Sequence, residues 1–312
     1  MVIRDLSQQG PCNRGGGYVT GYCHDPAPGG HVLSVSGPRG AVDQVRLADP
    51  AYTLRGSAAQ RYCLKGVGSH PSPETTAILE LLTGVLTVPC GGSLDFAIAL
   101  DWFNKLVDGE VADLTDLADL VHRGKHVYTP LGDVENLREA GGAVADEIAE
   151  VLGHHPLLRN ADAIAAPPGH DSKVPGFGAR LAAGVAKRRD TPLVRCTSRQ
   201  ELRAQARSLA FPDRAPALAG QFHCADDVSG QHIVIVDDVY ASGATAEETA
   251  RALRAAGASR VVSIAAIRTM EFEPSQVTKE FAEERLLADL ALARTAGHNG
   301  ASGRPDDDDW TV

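Results

Sequence analysis

The chain has 312 residues, 43% of them hydrophobic and 5% aromatic, with a formal net charge of -10. That length suits one large domain, or one domain with an appendage, and the apolar fraction suffices for a sizeable core. The negative charge argues against a protein whose main work is coating nucleic acid, because phosphate binding needs clustered Lys and Arg.

The opening residues, MVIRDLSQQG, are polar and lack an apolar signal core. No run approaches the ~18 apolar residues of a membrane span. The cytoplasm is therefore the expected location, with no membrane partner. Residues 1–95 are rich in Gly, Pro and Ser and weakly patterned. HVLSVS (31–36) and VDQVRL (42–47) are candidate strands, and PETTAILELLTGVL (73–86) is a candidate helix. Cys12, Cys23, Cys63 and Cys90 fall here with His24, His31 and His70. No C-x-x-C pair occurs, and the spacings match no common zinc module and no disulfide framework. The expectation is small buried thiols, surface imidazoles and no stoichiometric structural zinc.

From Phe96 the pattern sharpens. FAIALDWF reads as a strand. LTDLADLVHRGKH is a helix with Leu114, Leu117, Leu120 and Val121 at helical spacing, and NLREAGGAVADEIAEVLG is another. ADAIAAPP is a short buried strand, GFGARLAAGVAKRRD a helix and PLVRC a strand. An Arg-rich segment follows to Phe222. HIVIVDD is then a strand, TAEETARALRAAG a helix and SRVVSIAAIR a strand. Strands separated by helices indicate parallel pairing and an α/β sheet. SQVTKEFAEERLLADLALARTAG reads as a last helix, and HNGASGRPDDDDWTV as an acidic, disordered tail.

Ile233, Val234, Ile235 and Val236 run straight into Asp237 and Asp238. Four consecutive apolar residues mark a strand buried on both faces. A carboxylate pair inside such a core is very costly, but the carboxyl end of a parallel strand is where ligand crevices open. The two acids are therefore expected at the mouth of a site. Ala241, Ser242, Gly243, Ala244 and Thr245 make a tight loop of small and hydroxylated residues. Gly243 lets the backbone approach a ligand closely, and the next helix points its free N–H groups into the loop. Such a loop can cradle a monophosphate, and the carboxylates suit the hydroxyls of an attached sugar. Thr245 and Glu248 also read as a capping box, T-x-x-E. That alternative explains neither acid.

Residues 233–245 resemble the phosphoribosyl pyrophosphate (PRPP) motif of type I phosphoribosyltransferases: four apolar residues, two acids, two mostly apolar residues and a small hydroxyl-rich loop. The resemblance implies that Asp237 and Asp238 hold the ribose 2- and 3-hydroxyls and serve as the catalytic acids. Val239, Tyr240 and the loop residues Ala241, Ser242, Gly243, Ala244 and Thr245 would bind the substrate, the loop taking its 5-phosphate. A wider likeness to the ComF family covers about residues 114–269. It runs through LADLVHRGKH, ADAIAAPPGHDSK, GFGARLAAGVAKRRDTPLVRC and a loose Arg/Gln-rich segment with Arg199, Gln205, Arg207 and Arg214. Here the paired-cysteine zinc ribbon usual in that family is absent, and residues 1–95 have no counterpart in it.

The implied fold is a mostly parallel, helix-flanked sheet of the type I phosphoribosyltransferase kind with an N-terminal extension. Residues 1–95 would be the extension and a candidate hood, 96–273 the phosphoribosyltransferase domain, 274–297 a C-terminal helix and 298–312 the tail. Pro168, Gly169 and Lys173 would bind pyrophosphate after the first core strand, with Asp171 reaching a metal-bound water. The 195–214 segment, with Arg199, would close over it. The implied cofactor is magnesium, held by Asp237 and Asp238 directly or through water. The implied reaction is phosphoribosyl transfer from PRPP to a nitrogen acceptor that the sequence does not identify. The alternatives are a non-catalytic PRPP sensor and a ComF-like accessory protein in DNA handling. A homodimer is a further expectation.

Overall fold

The computed structural model of the protein describes residues 16–107, 110–125, 134–170, 175–203 and 209–269. The expected C-terminal helix and tail, together with Cys12, Asp171, Lys173, Gln205 and Arg207, lie outside the described residues.

The amino-terminal part alternates strands and helices as β1 (Gly21–Ala27), β2 (Gly30–Ser36), α1 (Arg39–Ala48), β3 (Thr53–Ala58), β4 (Arg61–Gly66) and α2 (Pro73–Leu81). Its four strands form an antiparallel sheet in the order β1-β2-β4-β3. In β2 every second residue is buried (His31, Leu33, Val35), the period that one packed face requires. Four expectations fail here. VDQVRL lies in α1, because Ala41, Val42 and Val45 are buried at helical spacing and Gln44 joins them. The helix predicted to reach Leu86 stops at Leu81, and Leu86 begins a strand, β5 (Leu86–Val88). His31 is also not a surface imidazole. It is 1% exposed and hydrogen-bonds the Tyr52 hydroxyl at 2.7 Å. Cys23 and Cys90, conversely, are exposed rather than buried.

The chain then runs through β6 (Phe96–Trp102), a small hairpin of β7 (Asn104–Val107) and β8 (Glu110–Leu114), α3 (Asp116–Gly124), α4 (Val134–His154), β9 (Ala163–Ala166) and α5 (Phe177–Arg189). It continues through β10 (Leu193–Ser198), α6 (Arg214–Leu218), β11 (Phe222–Cys224), β12 (His232–Tyr240), α7 (Ala244–Ala255) and β13 (Arg260–Arg268). The main sheet has the order β11-β10-β9-β12-β13-β6-β5. Its five inner strands are parallel, and β11 and β5 close the edges antiparallel. This is the mostly parallel, helix-flanked sheet of the expected fold. β12 is the central strand, with Val234 between Ile164 of β9 and Val262 of β13.

Alternate residues of β12 feed two cores. Val234 and Val236 join one that also takes Leu33, Val42, Leu64, Ile78, Ile98, Ile148 and Leu181. Ile233 and Ile235 join the other, beneath Ala246, Ala250 and Leu253 of α7. The amino-terminal sheet and its helices thus share a core with the parallel sheet. A buried polar contact joins them too: His155 Nε2 donates to Gln44 Oε1 at 2.8 Å, and its Nδ1 accepts from the Leu157 amide at 3.1 Å. The His155 ring stacks on Phe96. Burial pushes the His155 pKa down to about 3, so the ring is neutral in the fold. On α7, Leu253 is fully buried as expected. Arg254 is only half-exposed, because it folds back to pair with Asp95 at 2.6 Å.

Candidate functional site

Asp237 and Asp238 stand near the carboxyl end of β12, both half-buried, where the central strand leaves the core. The Asp238 amide donates to the Asp237 carboxylate at 2.9 Å. Burial first, and the neighbouring Asp238 charge second, raise the Asp237 pKa well above the usual carboxylate range. Lys125, at the end of α3, places its ammonium 2.7 Å from Asp238 Oδ2 and eases that repulsion. α5 comes close on another side: a Cβ on Gly178 would stand 2.9 Å from Asp237 Oδ1, so only glycine leaves that carboxylate its room.

The loop after β12 bears no side chain larger than a hydroxyl until α7 begins. Gly243 is the N-cap of α7 with φ +76, in the left-handed region that favours glycine. A Cβ there would also meet Tyr240 Cζ at 2.8 Å. Tyr240 is 4% exposed and donates its hydroxyl to the Pro89 carbonyl at 2.7 Å, which fixes its ring against Gly243 of the loop. Val239 and Ala241 are half-buried beside it, as are Ser242 and Thr245, while Gly243 and Ala244 are buried. The alternative reading, a capping box of Thr245 and Glu248, does not form. The N-cap is Gly243, and Glu248 instead accepts from the Phe222 amide at 3.1 Å and pairs with Arg251 at 2.7 Å. The Thr245 hydroxyl is thereby spared from capping. Glu247 accepts the backbone N–H groups of Gly91 and Ser93, which fastens the chain entering β6 to the first turn of α7.

Pro168 and Gly169, half-buried, follow β9 at the same end of the sheet. There Arg203 donates its guanidinium to the Pro168 carbonyl at 2.8 Å and its amide to the His170 carbonyl at 2.9 Å. Its guanidinium also lies over the Phe222 ring at 5.1 Å. Burial lowers the Arg203 pKa, and the Asp237 charge pushes it back up. Arg199 is exposed, and its amide is bonded to the Gln221 carbonyl. From the Arg-rich segment it is Arg203, rather than Arg199, that the fold brings to the end of β9.

Sequence reasoning passed over Lys125 and Gly178 and did not single out Arg203. The signal for Lys125 was its place in LADLVHRGKH, a stretch noted for its likeness but not for any residue. A cavity of about 360 Å³ lies elsewhere, between β6, α3 and α4, with Leu100, Asp101, Leu117 and Glu147 among its walls, and neither Asp237 nor Asp238 lines it. Among the described residues no group of three or more His, Cys, Asp or Glu side chains could hold a metal. No helix among them is long and apolar enough to cross a membrane.

Residues 174–279 match the phosphoribosyl transferase domain family. The match begins just before α5 and takes in β10, β12, the loop, α7 and β13. Adenine phosphoribosyltransferase of Frankia casuarinae is 34% identical over 99 residues, 32% of this chain and 52% of that enzyme. The chain thus spans about half the length of the curated relative it matches. Among solved structures, the adenine phosphoribosyltransferase of Leishmania tarentolae aligns with 62% of this chain and 98% of its own, at 14% identity and a TM-score of 0.33. Phosphoribosylpyrophosphate synthetase of Mycobacterium smegmatis aligns with 49% of this chain and 51% of its own, at 16% identity and a TM-score of 0.29.

Proposed function

We propose that the protein transfers the phosphoribosyl group of PRPP to a nitrogen acceptor, releasing pyrophosphate, with magnesium as its cofactor. The observation that carries this reading is the joint placement of two acids at the end of the central strand and a side-chain-poor loop at the start of α7. Asp237 and Asp238 accept hydrogen bonds from the ribose hydroxyls. Backbone N–H groups of the 241–245 loop, with the Ser242 and Thr245 hydroxyls, donate to the 5-phosphate. Arg203, with the backbone at Pro168 and Gly169, stands where the leaving pyrophosphate is held. Displacement at the ribose carbon passes through a cationic sugar, so the chain's work is to position, to balance charge and to exclude water.

The residues present fit magnesium. Two adjacent carboxylates, one of them forced towards its neutral form by burial and by the other, gain by a divalent charge between them. A pair rather than a cluster is what Mg²⁺ takes, since it keeps several waters and completes its shell with substrate phosphates. When bound, the ion would neutralise the diphosphate and the acid pair together. Lys125 keeps Asp238 partnered meanwhile. The ComF-like assignment belongs to this proposal as its finer part and rests on the succession of α3, β9 and α5. The acceptor is left open: neither the amino-terminal sheet nor the 270–312 stretch carries a readable base-recognition pattern. The test is calorimetric titration of purified protein with PRPP, with and without Mg²⁺, followed by a screen of bases and amines for pyrophosphate release. Binding that needs Mg²⁺ supports the reading, and PRPP that binds in neither condition removes it.

A further inference from the structure

β10 and β11 form the antiparallel edge of the main sheet, and the chain between them is the Arg-rich segment. Cys196 of β10 and Cys224 of β11 are direct register partners. Their kind of pairing follows from the ladder. The Arg199 amide donates to the Gln221 carbonyl, which makes 199 and 221 a hydrogen-bonded pair. Alternating inwards through 198–222 and 197–223 leaves 196–224 a non-hydrogen-bonded pair. Such pairs have Cα atoms about 4.5 Å apart and their side chains closest. That separation falls inside the range of about 4.4–6.8 Å that a disulfide spans. The two side chains also face the same way: Cys196 belongs to the core beneath α7 and Cys224 packs against it. The Cys224 thiol donates to the Asp226 carbonyl at 3.6 Å, and both thiols are free.

We propose that Cys196 and Cys224 are a redox pair, closed to an intrachain disulfide by a peroxide oxidant, that staples the two feet of the Arg-rich segment. Cys224, the more exposed of the two, attacks one oxygen of hydrogen peroxide as the thiolate, giving a sulfenic acid and water. The Cys196 sulfur then displaces that hydroxyl as a second water, and the S–S bond forms. Two thiols lose two electrons and two protons to one peroxide, which becomes two waters. Burial raises both thiols above their ordinary pKa, so the pair responds to sustained oxidant rather than to a brief pulse. The bond closes a ring holding Arg199, Arg203 and Phe222. Oxidation therefore acts on the residues beside Pro168 without touching Asp237 or the phosphate loop. The pairing itself does not depend on what the site binds.

The experiment compares the full-length protein, reduced and peroxide-treated, after alkylation of remaining thiols. Peptide mapping is expected to find a Cys196–Cys224 cross-link that dithiothreitol reverses, and Cys224→Ser is expected to abolish it. Trypsin should cut after exposed Arg199 several-fold more slowly in the oxidised protein. A disulfide between other cysteines, or a Cys224 that ends as sulfinic acid with Cys196 still free, overturns the pairing. An unchanged cleavage rate in a protein that carries the mapped bond overturns the stapling.

Discussion

The amino-terminal sheet and the parallel sheet share one core yet carry different burdens. In the first, β2 and β4 bury one face, and the buried His31 ring bonds the Tyr52 hydroxyl while the Gln44 side-chain oxygen of α1 bonds His155. The parallel sheet is covered on both faces. At the carboxyl end of its central strand Asp237 and Asp238 crowd each other, with the Lys125 ammonium against Asp238. One region uses polar groups to hold the fold, the other bears an electrostatic cost that Lys125 eases in part. Substitutions in the two should therefore differ in kind: stability without binding in the first, and binding in the second, with any gain or loss of stability set there by local strain or by pH.

The largest effect is expected from Asp237→Asn combined with Asp238→Asn. Each lost charge-assisted hydrogen bond costs about 1.5–3 kcal/mol, so two together should weaken PRPP binding in Mg²⁺ by about 3–6 kcal/mol. Calorimetry would read it as loss of measurable binding, with the circular dichroism spectrum of the fold retained. A double variant that binds like the parent would break the comparison, since the acids would then not be ligands. Gly243→Val should also end binding, but at a cost to the fold as well. It forces a β-branched residue to φ +76 and against the Tyr240 ring, a strain of about 1–3 kcal/mol.

The middle effect separates the regions by pH. His155 has a folded pKa lowered to about 3 against an ordinary value of 6.5. The unfolded chain therefore binds a proton that the fold refuses, and stability falls as pH drops from about 6.5 towards 3, by about 1.4 kcal/mol per pH unit. Asp237 has the opposite sign. Its folded pKa is raised, so the unligated fold loses stability as pH rises from the ordinary carboxylate value of 3.8 through that raised value. Asp237→Asn alone, which keeps the Asp238–Lys125 pair, should then be more stable than the parent at pH 8 and equal to it near pH 3. His155→Leu should do the reverse. It should lose about 1–3 kcal/mol at pH 7.5 through the buried Gln44 left without its donor and flatten the acid limb. Its PRPP affinity per folded molecule should be unchanged. Urea titrations across pH check both.

The same contrast governs how much the sequence reveals. A parallel strand buried on both faces is an unbroken apolar run, so FAIAL, AIAA, HIVIV and RVVSIAAI are legible without a partner, and the acids ending one of them mark the site. An antiparallel strand with one wet face needs only every second residue apolar. β1, GYCHDPA, lacks even that, because most of it is exposed. VDQVRL fits both periods over six residues. What makes it helical is the burial of Gln44 against His155, more than a hundred positions away, which no local pattern carries. Lys125 and Arg203 were illegible for the same reason. Each reaches the site from an element distant in sequence, and a lysine after a helix or an arginine in a basic segment looks solvated until the sheet is assembled.

The smallest effect tests whether charge alone, away from any buried group, distinguishes the regions. Arg39 and Asp43 form an i,i+4 pair at 3.0 Å on α1, with side chains 46% and 43% exposed. Arg254 and Asp95 form a pair of similar chemistry at 2.6 Å, with side chains 31% and 27% exposed. The exposed helix pair is worth about 0.3–0.5 kcal/mol in water and less in salt. Asp43→Asn should therefore move the melting temperature by about 1–2 °C at most. Asp95 does more than pair. It also accepts the Val261 amide at 2.8 Å, at the start of β13, while Arg254 reaches the Ser93 and Ala258 carbonyls. Asp95→Asn keeps a carbonyl for that amide but gives up the charge, and should lower the melting temperature several times further than Asp43→Asn, with a difference that persists at 0.5 M salt. Equal shifts, both vanishing in salt, would mean that the Asp95 contact is only another surface pair. The seam between β6, α7 and β13 would then owe its hold to the apolar core alone.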